Sequence, residues 1–187
     1  MNAGKSTALL QANHNYLERG MKTMLFTAKL DNREGGGVIS SRIGIQKEAL
    51  SFANEDNLFD MVREADSDSK LNCILVDEAQ FLSKEQVRQL IRLVDEEGIP
   101  VLTYGIRSDF KGEVFEGSKF LLAWSDEMKE IKTICHCGKK ATMNARVSTD
   151  GDMETAGAQI EIGGNERYIS LCRGCFNRGE MGSFSPV

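Results

Sequence analysis

Asn2-Ala3-Gly4-Lys5-Ser6-Thr7 stands at the head of the chain and runs directly into a helical stretch. Leu9, Leu10, Tyr16 and Leu17 recur at helical spacing over residues 5–19, and Gly20 suits the stop. Gly-Lys-Ser before a helix is the second half of a Walker A loop. There, backbone N–H groups and the positive end of the helix dipole cradle phosphates. Lys5 would meet the β- and γ-phosphates, and the Ser6 hydroxyl would hold Mg²⁺. The tetrapeptide alone would equally suit an ordinary helix start. The full pattern also wants a glycine about five residues earlier, after an apolar strand. The expectation is therefore that the reading frame continues upstream of Met1 by on the order of ten residues, enough for one strand and the start of the loop.

Downstream, Thr23 to Ala28 reads as a buried strand and Leu58, Phe59, Val62 and Ala65 as a short helix. Cys73-Ile74-Leu75-Val76 forms the apolar end of a second strand, Leu71 to Val76, which closes on Asp77-Glu78. Acids at the end of an apolar strand are often only solvated. One crossover after a Gly-Lys-Ser they occupy the Walker B position, where the first orients Mg²⁺ and the next can take a proton. Ser83 with Gln86 predicts a capping box, followed by the stripe Val87, Leu90, Ile91 and Val94, with Gly98 as the stop. Pro100 to Tyr104 is a third strand. Strands alternating with helices predict an α/β fold with a parallel sheet and flanking helices. Residues 31–44 carry Gly35, Gly36, Gly37 and Gly44 and are expected to lack regular structure. The loop from Asn32 to Ile39 is expected to be mobile until ligand orders it.

From Met128 onward the pattern changes to short alternating runs: Met128 to Lys132, Thr142 to Val147, and Gln159 to Leu171. These predict small antiparallel ribbons. Cys135-x-Cys137 and Cys172-x-x-Cys175 bracket them, and four thiolates delivered as two knuckles make a closed, structural zinc site. Cys73 is left over and reads as a core residue. The organisation expected is a nucleotide-binding domain over 1–128 without its first strand, a small zinc-ribbon-like β domain over 129–177, and a loose tail over 178–187.

These residues together resemble the zinc-containing, P-loop thymidine kinase family, in its bacterial branch. The resemblance is carried by Asn2 to Thr7, Asp31-x-Arg33, Ser40 to Gly44, Asp77-Glu78-x-Gln80-Phe81 and Tyr104 to Phe110. Thr133-Ile134-Cys135-x-Cys137-Gly138 and Ile162-Gly163-Gly164-Asn165-Glu166-Arg167-Tyr168 before Cys172 complete it. It implies a P-loop kinase-type parallel sheet joined to a small zinc-binding lasso domain, and ATP-dependent phosphorylation of thymidine. It assigns Asn2, Ala3, Gly4, Lys5, Ser6, Thr7, Asp31, Arg33, Asp77 and Gln80 to ATP and Mg²⁺. Glu78 becomes the general base for the 5′-hydroxyl. Phe110 would pack on the thymine ring, and Gln159, Ile160, Glu161, Ile162 and Gly163, with Tyr168, would form a lasso over the base. It also implies a homotetramer. Two rivals are an inactive P-loop and zinc protein that only binds or assembles, and a different P-loop ATPase.

Composition narrows the partners. A net charge of −5 offers no field for a nucleic acid polymer. The longest apolar run, Phe120 to Trp124, is far too short to cross a membrane. An odd cysteine count with no visible export signal suggests thiols in a reducing cytoplasm.

Overall fold

The computed structural model describes residues 3–31, 37–67, 70–161, 163 and 167–182. They fall into two compact units: Gly4–Gly105 with Glu116–Asp126, and Met1–Ala3 with Ile106–Phe115 and Glu127–Val187.

The first unit begins with helix α1 (Lys5–Glu18) and strand β1 (Lys22–Ala28). A short antiparallel pair follows, β2 (Val38–Ser40) with β3 (Gln46–Glu48), and then β4 (Leu50–Phe52). Helix α2 (Leu58–Ala65), β5 (Leu71–Val76), α3 (Lys84–Asp95), β6 (Val101–Thr103) and α4 (Glu116–Trp124) complete it. The main sheet has the order β4-β1-β5-β6, and its neighbouring pairs are parallel. The predicted α/β architecture is thus present. The expectation of no regular structure across 31–44 fails at β2, where Val38, Ile39 and Ser40 pair with Glu48, Lys47 and Gln46. Residues 32–36 of the glycine-rich loop lie outside the described residues.

Both faces of the sheet are covered, which is why its strands read as apolar runs and not as alternation. On one face Met24, Phe26 and Ala28 of β1 and Ile74 and Val76 of β5 pack with Leu58, Phe59 and Val62 of α2 and Val87, Leu90 and Leu93 of α3. On the other, Leu25, Cys73 and Leu75 meet Leu9 and Leu10 of α1. Each such buried side chain contributes ~1.5–3 kcal/mol relative to exposure. Cys73 is a core residue, as its position in a strand suggested.

Polar anchors finish the unit. The Ser83–Gln86 capping box forms, and the Gln86 amide also donates to the Ala53 and Asp56 carbonyls at 2.6 and 3.1 Å. Gln89 Oε1 accepts from the Leu58 N–H at 2.8 Å. Asp66, just past α2, is 6% exposed and takes the Leu71 N–H at 2.9 Å together with the Lys22 ammonium.

In the second unit β7 (Thr133–Ile134) pairs with β8 (Lys140–Ala141), and β9 (Met143–Arg146) with β10 (Tyr168–Leu171), both antiparallel. Helix α5 (Arg173–Arg178) follows. Alternation over Met128 to Lys132 produces no strand, and among the described residues of Gln159 to Leu171 the last four pair as a strand. Alternation without a partner strand at hydrogen-bonding distance is not a ribbon. Among residues beyond α5, Glu180 is held by its N–H to the Cys175 carbonyl at 2.9 Å, and residues 183–187 are outside the described set.

Candidate functional site

Two clusters bear chemistry, one in each unit. In the first, Gly4 sits at the N-cap of α1 with φ +79, a left-handed conformation that glycine adopts without strain. Among the described residues no side chain caps this helix and its first turn carries no acid, so its leading N–H groups keep their capacity for an anion. Ala3, Lys5, Ser6 and Thr7 are half-buried around it.

The Ser6 hydroxyl donates to Asp77 Oδ2 at 2.7 Å, across a sequence separation of 71. The helix start and the acidic strand end, two separate sequence motifs, therefore meet. Asp77 is 4% exposed, and its other oxygen accepts the Glu78 N–H at 2.9 Å. Burial, and then the neighbouring Glu78 charge, push its carboxyl above the ordinary value despite the Ser6 hydrogen bond. A buried carboxylate strained in this way, beside a serine hydroxyl, is a donor set suited to a divalent cation with oxygen ligands. These residues fit Mg²⁺.

Glu78 is the one described non-glycine residue with positive φ, at +50. A residue held there is backbone strain of a kind that gathers at functional positions. The Gln80 amide donates to Glu78 Oε2 at 2.5 Å, and Gln80 is itself buried. Gly105 lies close by. A Cβ on it would stand 3.0 Å from Gln80 Oε1 and 3.1 Å from the Gln80 nitrogen. Asp31 follows β1, its N–H bonded to the Ala28 carbonyl at 2.9 Å. Asn2 and Arg33 lie outside the described residues.

In the second unit the Sγ atoms of Cys135, Cys137, Cys172 and Cys175 all lie within 4.8 Å of one another. Cys137 and Cys172 are 3.7 Å apart. Tetrahedral zinc with Zn–S near 2.3 Å demands S···S edges of about 3.8 Å. The first knuckle turns at Gly138, with φ +81 and its N–H on the Cys135 carbonyl at 2.9 Å. The second starts α5, with Cys172 as N-cap. The Cys175 N–H above all lowers the Cys172 thiol, while desolvation first, and then the other thiols, push Cys175 up. Four crowded sulfurs resist full ionisation alone, and a dication resolves that conflict. The cluster fits zinc, closed by four protein ligands.

Phe110 is in the same unit, 1% exposed. Its neighbour Asp109 takes the Lys111 and Glu113 N–H groups at 2.8 and 2.9 Å through Oδ1, and the Gln159 amide at 3.0 Å through Oδ2. Tyr168 is buried and donates its hydroxyl to the Glu161 carbonyl at 2.7 Å. Ile160 is 42% exposed, Glu161 is also exposed, and Gly163 is half-buried. Ile162 lies outside the described residues. The sequence reading missed Arg146, whose guanidinium carbon lies 3.7 Å from the centre of the Phe110 ring. Its place in an alternating run offered no signal that it is buried.

Comparison with known proteins agrees in one direction. The family described as "Thymidine kinase" matches residues 1–176. A thymidine kinase of Legionella pneumophila strain Lens is 54% identical over all of this chain and 90% of its own length. One from Shewanella oneidensis is 56% identical over 92% of this chain and 90% of its own, and one from Haemophilus influenzae is 56% identical over the same shares. Among the described residues, no helix is long and apolar enough to cross a membrane.

Proposed function

The chain belongs to the thymidine kinase family, and from that premise we propose that it transfers the γ-phosphoryl group of ATP to the 5′-hydroxyl of thymidine. The products are ADP and thymidine 5′-monophosphate. The observation that carries this reading is the 2.7 Å hydrogen bond from Ser6 to Asp77, which joins the phosphate-loop helix to the acidic strand end. Family membership favours it over an inactive binding protein or an unrelated ATPase.

The roles are those that the family resemblance implies, and the chemistry of each residue suits its role. Asn2, Ala3, Gly4 and Thr7 frame the phosphates with backbone and hydroxyl donors, and Lys5 neutralises the β- and γ-phosphates. Ser6 and Asp77 would hold Mg²⁺, which when bound screens the phosphate charge. Asp31, which follows β1, and Arg33, two residues on in the sequence, would add to phosphate binding. Glu78 takes the proton of the attacking hydroxyl, and Gln80 steadies its carboxylate. Phoshoryl transfer asks little covalent chemistry of the protein, so alignment and charge neutralisation dominate.

Phe110 and Tyr168, with Gln159, Ile160, Glu161, Ile162 and Gly163, recognise the base, largely through main-chain groups. A buried main-chain pattern matched to one pyrimidine edge rejects purines by leaving polar groups unpaired. The four cysteines hold one structural zinc in the 129–177 domain. The family likeness further suggests a cytoplasmic homotetramer, which sedimentation would test.

The central test is phosphate transfer from labelled ATP to a panel of nucleosides. We expect thymidine to be phosphorylated, deoxyuridine more slowly, and deoxyadenosine not at all. General-base help is worth ~10²–10⁴-fold, so Glu78→Gln should lower kcat by that factor while leaving the melting temperature near wild type. Equal rates on thymidine and deoxyadenosine, or an active Glu78→Gln enzyme, would count against the assignment.

A further inference from the structure

Arg146 closes β9 and is 2% exposed, the largest of the fully buried side chains. A buried guanidinium carries a heavy desolvation cost unless its donors are satisfied, and an apolar side chain would fill the same space more simply. Here the hydrogen bonds converge on one segment, with Tyr168 as a further partner. Nε reaches Glu154, Nη1 the Ala158 carbonyl at 3.0 Å and Glu161 at 3.3 Å, and Nη2 the Ala156 carbonyl at 3.5 Å. The flat face of the same group stacks on Phe110 at 3.7 Å.

The segment is shaped to receive it. Ala156-Gly157-Ala158 is a run of small residues, and Gly157 has φ +131. A Cβ at Gly157 would fall inside van der Waals contact of Arg146 Nη2 and reach the Phe110 ring edge at 4.0 Å. Around this centre the Lys111 ammonium donates to the Gly157 carbonyl at 3.3 Å. Arg167 ties Glu154 to Glu161, and Tyr168 anchors the Glu161 carbonyl. Residues 155–161 are otherwise exposed, so side-chain packing does not set their course.

We propose that Arg146 is a positioning residue for the nucleoside: one guanidinium sets both the Phe110 ring and the path of residues 156–158 into the base-holding segment. The inference rests on the reading of Phe110 and Gln159–Gly163 as base-binding. It goes beyond that reading in assigning substrate affinity to a side chain that need not touch substrate. A lysine keeps the charge but loses the planar fork and the stacking surface.

The test compares wild type, Arg146→Lys and Gly157→Ala in steady-state kinetics, with zinc content and melting temperature measured on each. The expected result is a rise in the thymidine KM of about tenfold or more in both variants, from a displaced binding surface. The ATP KM and zinc content should stay near wild type. A purely structural role would lower kcat, through loss of folded enzyme, and leave both KM values unchanged; that outcome, or an unchanged thymidine KM, overturns the proposal. A wild-type chain that phosphorylates no nucleoside would sink the kinase reading separately. Equilibrium dialysis of labelled thymidine onto the zinc-loaded chain then decides the matter: weaker binding by Arg146→Lys upholds the proposal, and equal binding or none by wild type overturns it.

Discussion

Glu78 shows how much depends on a single residue. Its φ of +50 is not relieved by a glycine, and its carboxylate is steered by Gln80. Gln80 in turn is confined by Gly105, where a Cβ would press on both the amide oxygen and the backbone nitrogen of Gln80. The amide end can swing away, but the backbone nitrogen cannot without moving the 3-10 turn Ala79–Phe81. Gly105→Ala should therefore displace the Gln80–Glu78 pair by a few tenths of an ångström. Catalysis by alignment is sensitive on that scale, and kcat should fall on the order of tenfold with little change in either KM. Rapid-quench or steady-state kinetics would check this, and a wild-type kcat in the alanine variant would contradict the role given to Gln80.

At the scale of the element, the junction between α2 and β5 depends on one acid. Asp66 is almost fully buried, accepts the Leu71 N–H and pairs with Lys22 at the start of β1. Burial alone would raise its carboxyl. The Lys22 ammonium and the Leu71 N–H outweigh that and hold it below the ordinary carboxylate value. A carboxyl depressed in the folded state binds fewer protons there than in the unfolded chain. Its stabilisation is complete above the unfolded value of ~3.9 and is lost as pH falls through the lower, folded value. Asp66→Asn should thus melt below wild type at pH 7, and the gap should close on acidification below about pH 4. A gap of constant size across that range would show that the charge is not the source.

The whole molecule combines two stabilising strategies. The Gly4–Gly105 and Glu116–Asp126 unit rests on an apolar core on both faces of a parallel sheet. The other unit has a small core in which Cys135, Cys172 and Cys175 are themselves members, beside Ala141, Ala145 and Leu171. So little apolar volume needs a staple, and a structural metal is the usual one. Protein purified without chelator should carry about one zinc per chain. Chelation should then expose sites in 133–178 to protease while α1, β1 and β5 stay protected. A metal-free chain with four readily alkylated thiols and an unchanged proteolytic pattern would refute the zinc assignment.

The sequence by itself determined the α/β order, the Gly-Lys-Ser helix start, the Asp77-Glu78 strand end and the cysteine knuckles. Each of these is a short-range pattern in which neighbouring residues must share one strand, one helix turn or one metal. The family resemblance was legible for the same reason. Only the tertiary structure decided the rest. β4 is three residues long, too short for periodicity to register, and exists because Phe26, Thr27 and Ala28 offer it a parallel partner. Ile106–Phe115 falls in the unit of the cysteines and not in that of the strand it follows. Asp66 and Arg146 look solvated in the sequence, and Gln86 is legible there only as a helix cap, since a polar side chain carries no local sign of burial. Their partners lie at Lys22, Ala53 and Phe110, brought within reach only by folding. A buried polar group is tolerated only when such partners arrive together, so its role belongs to the assembled chain and not to any stretch of it.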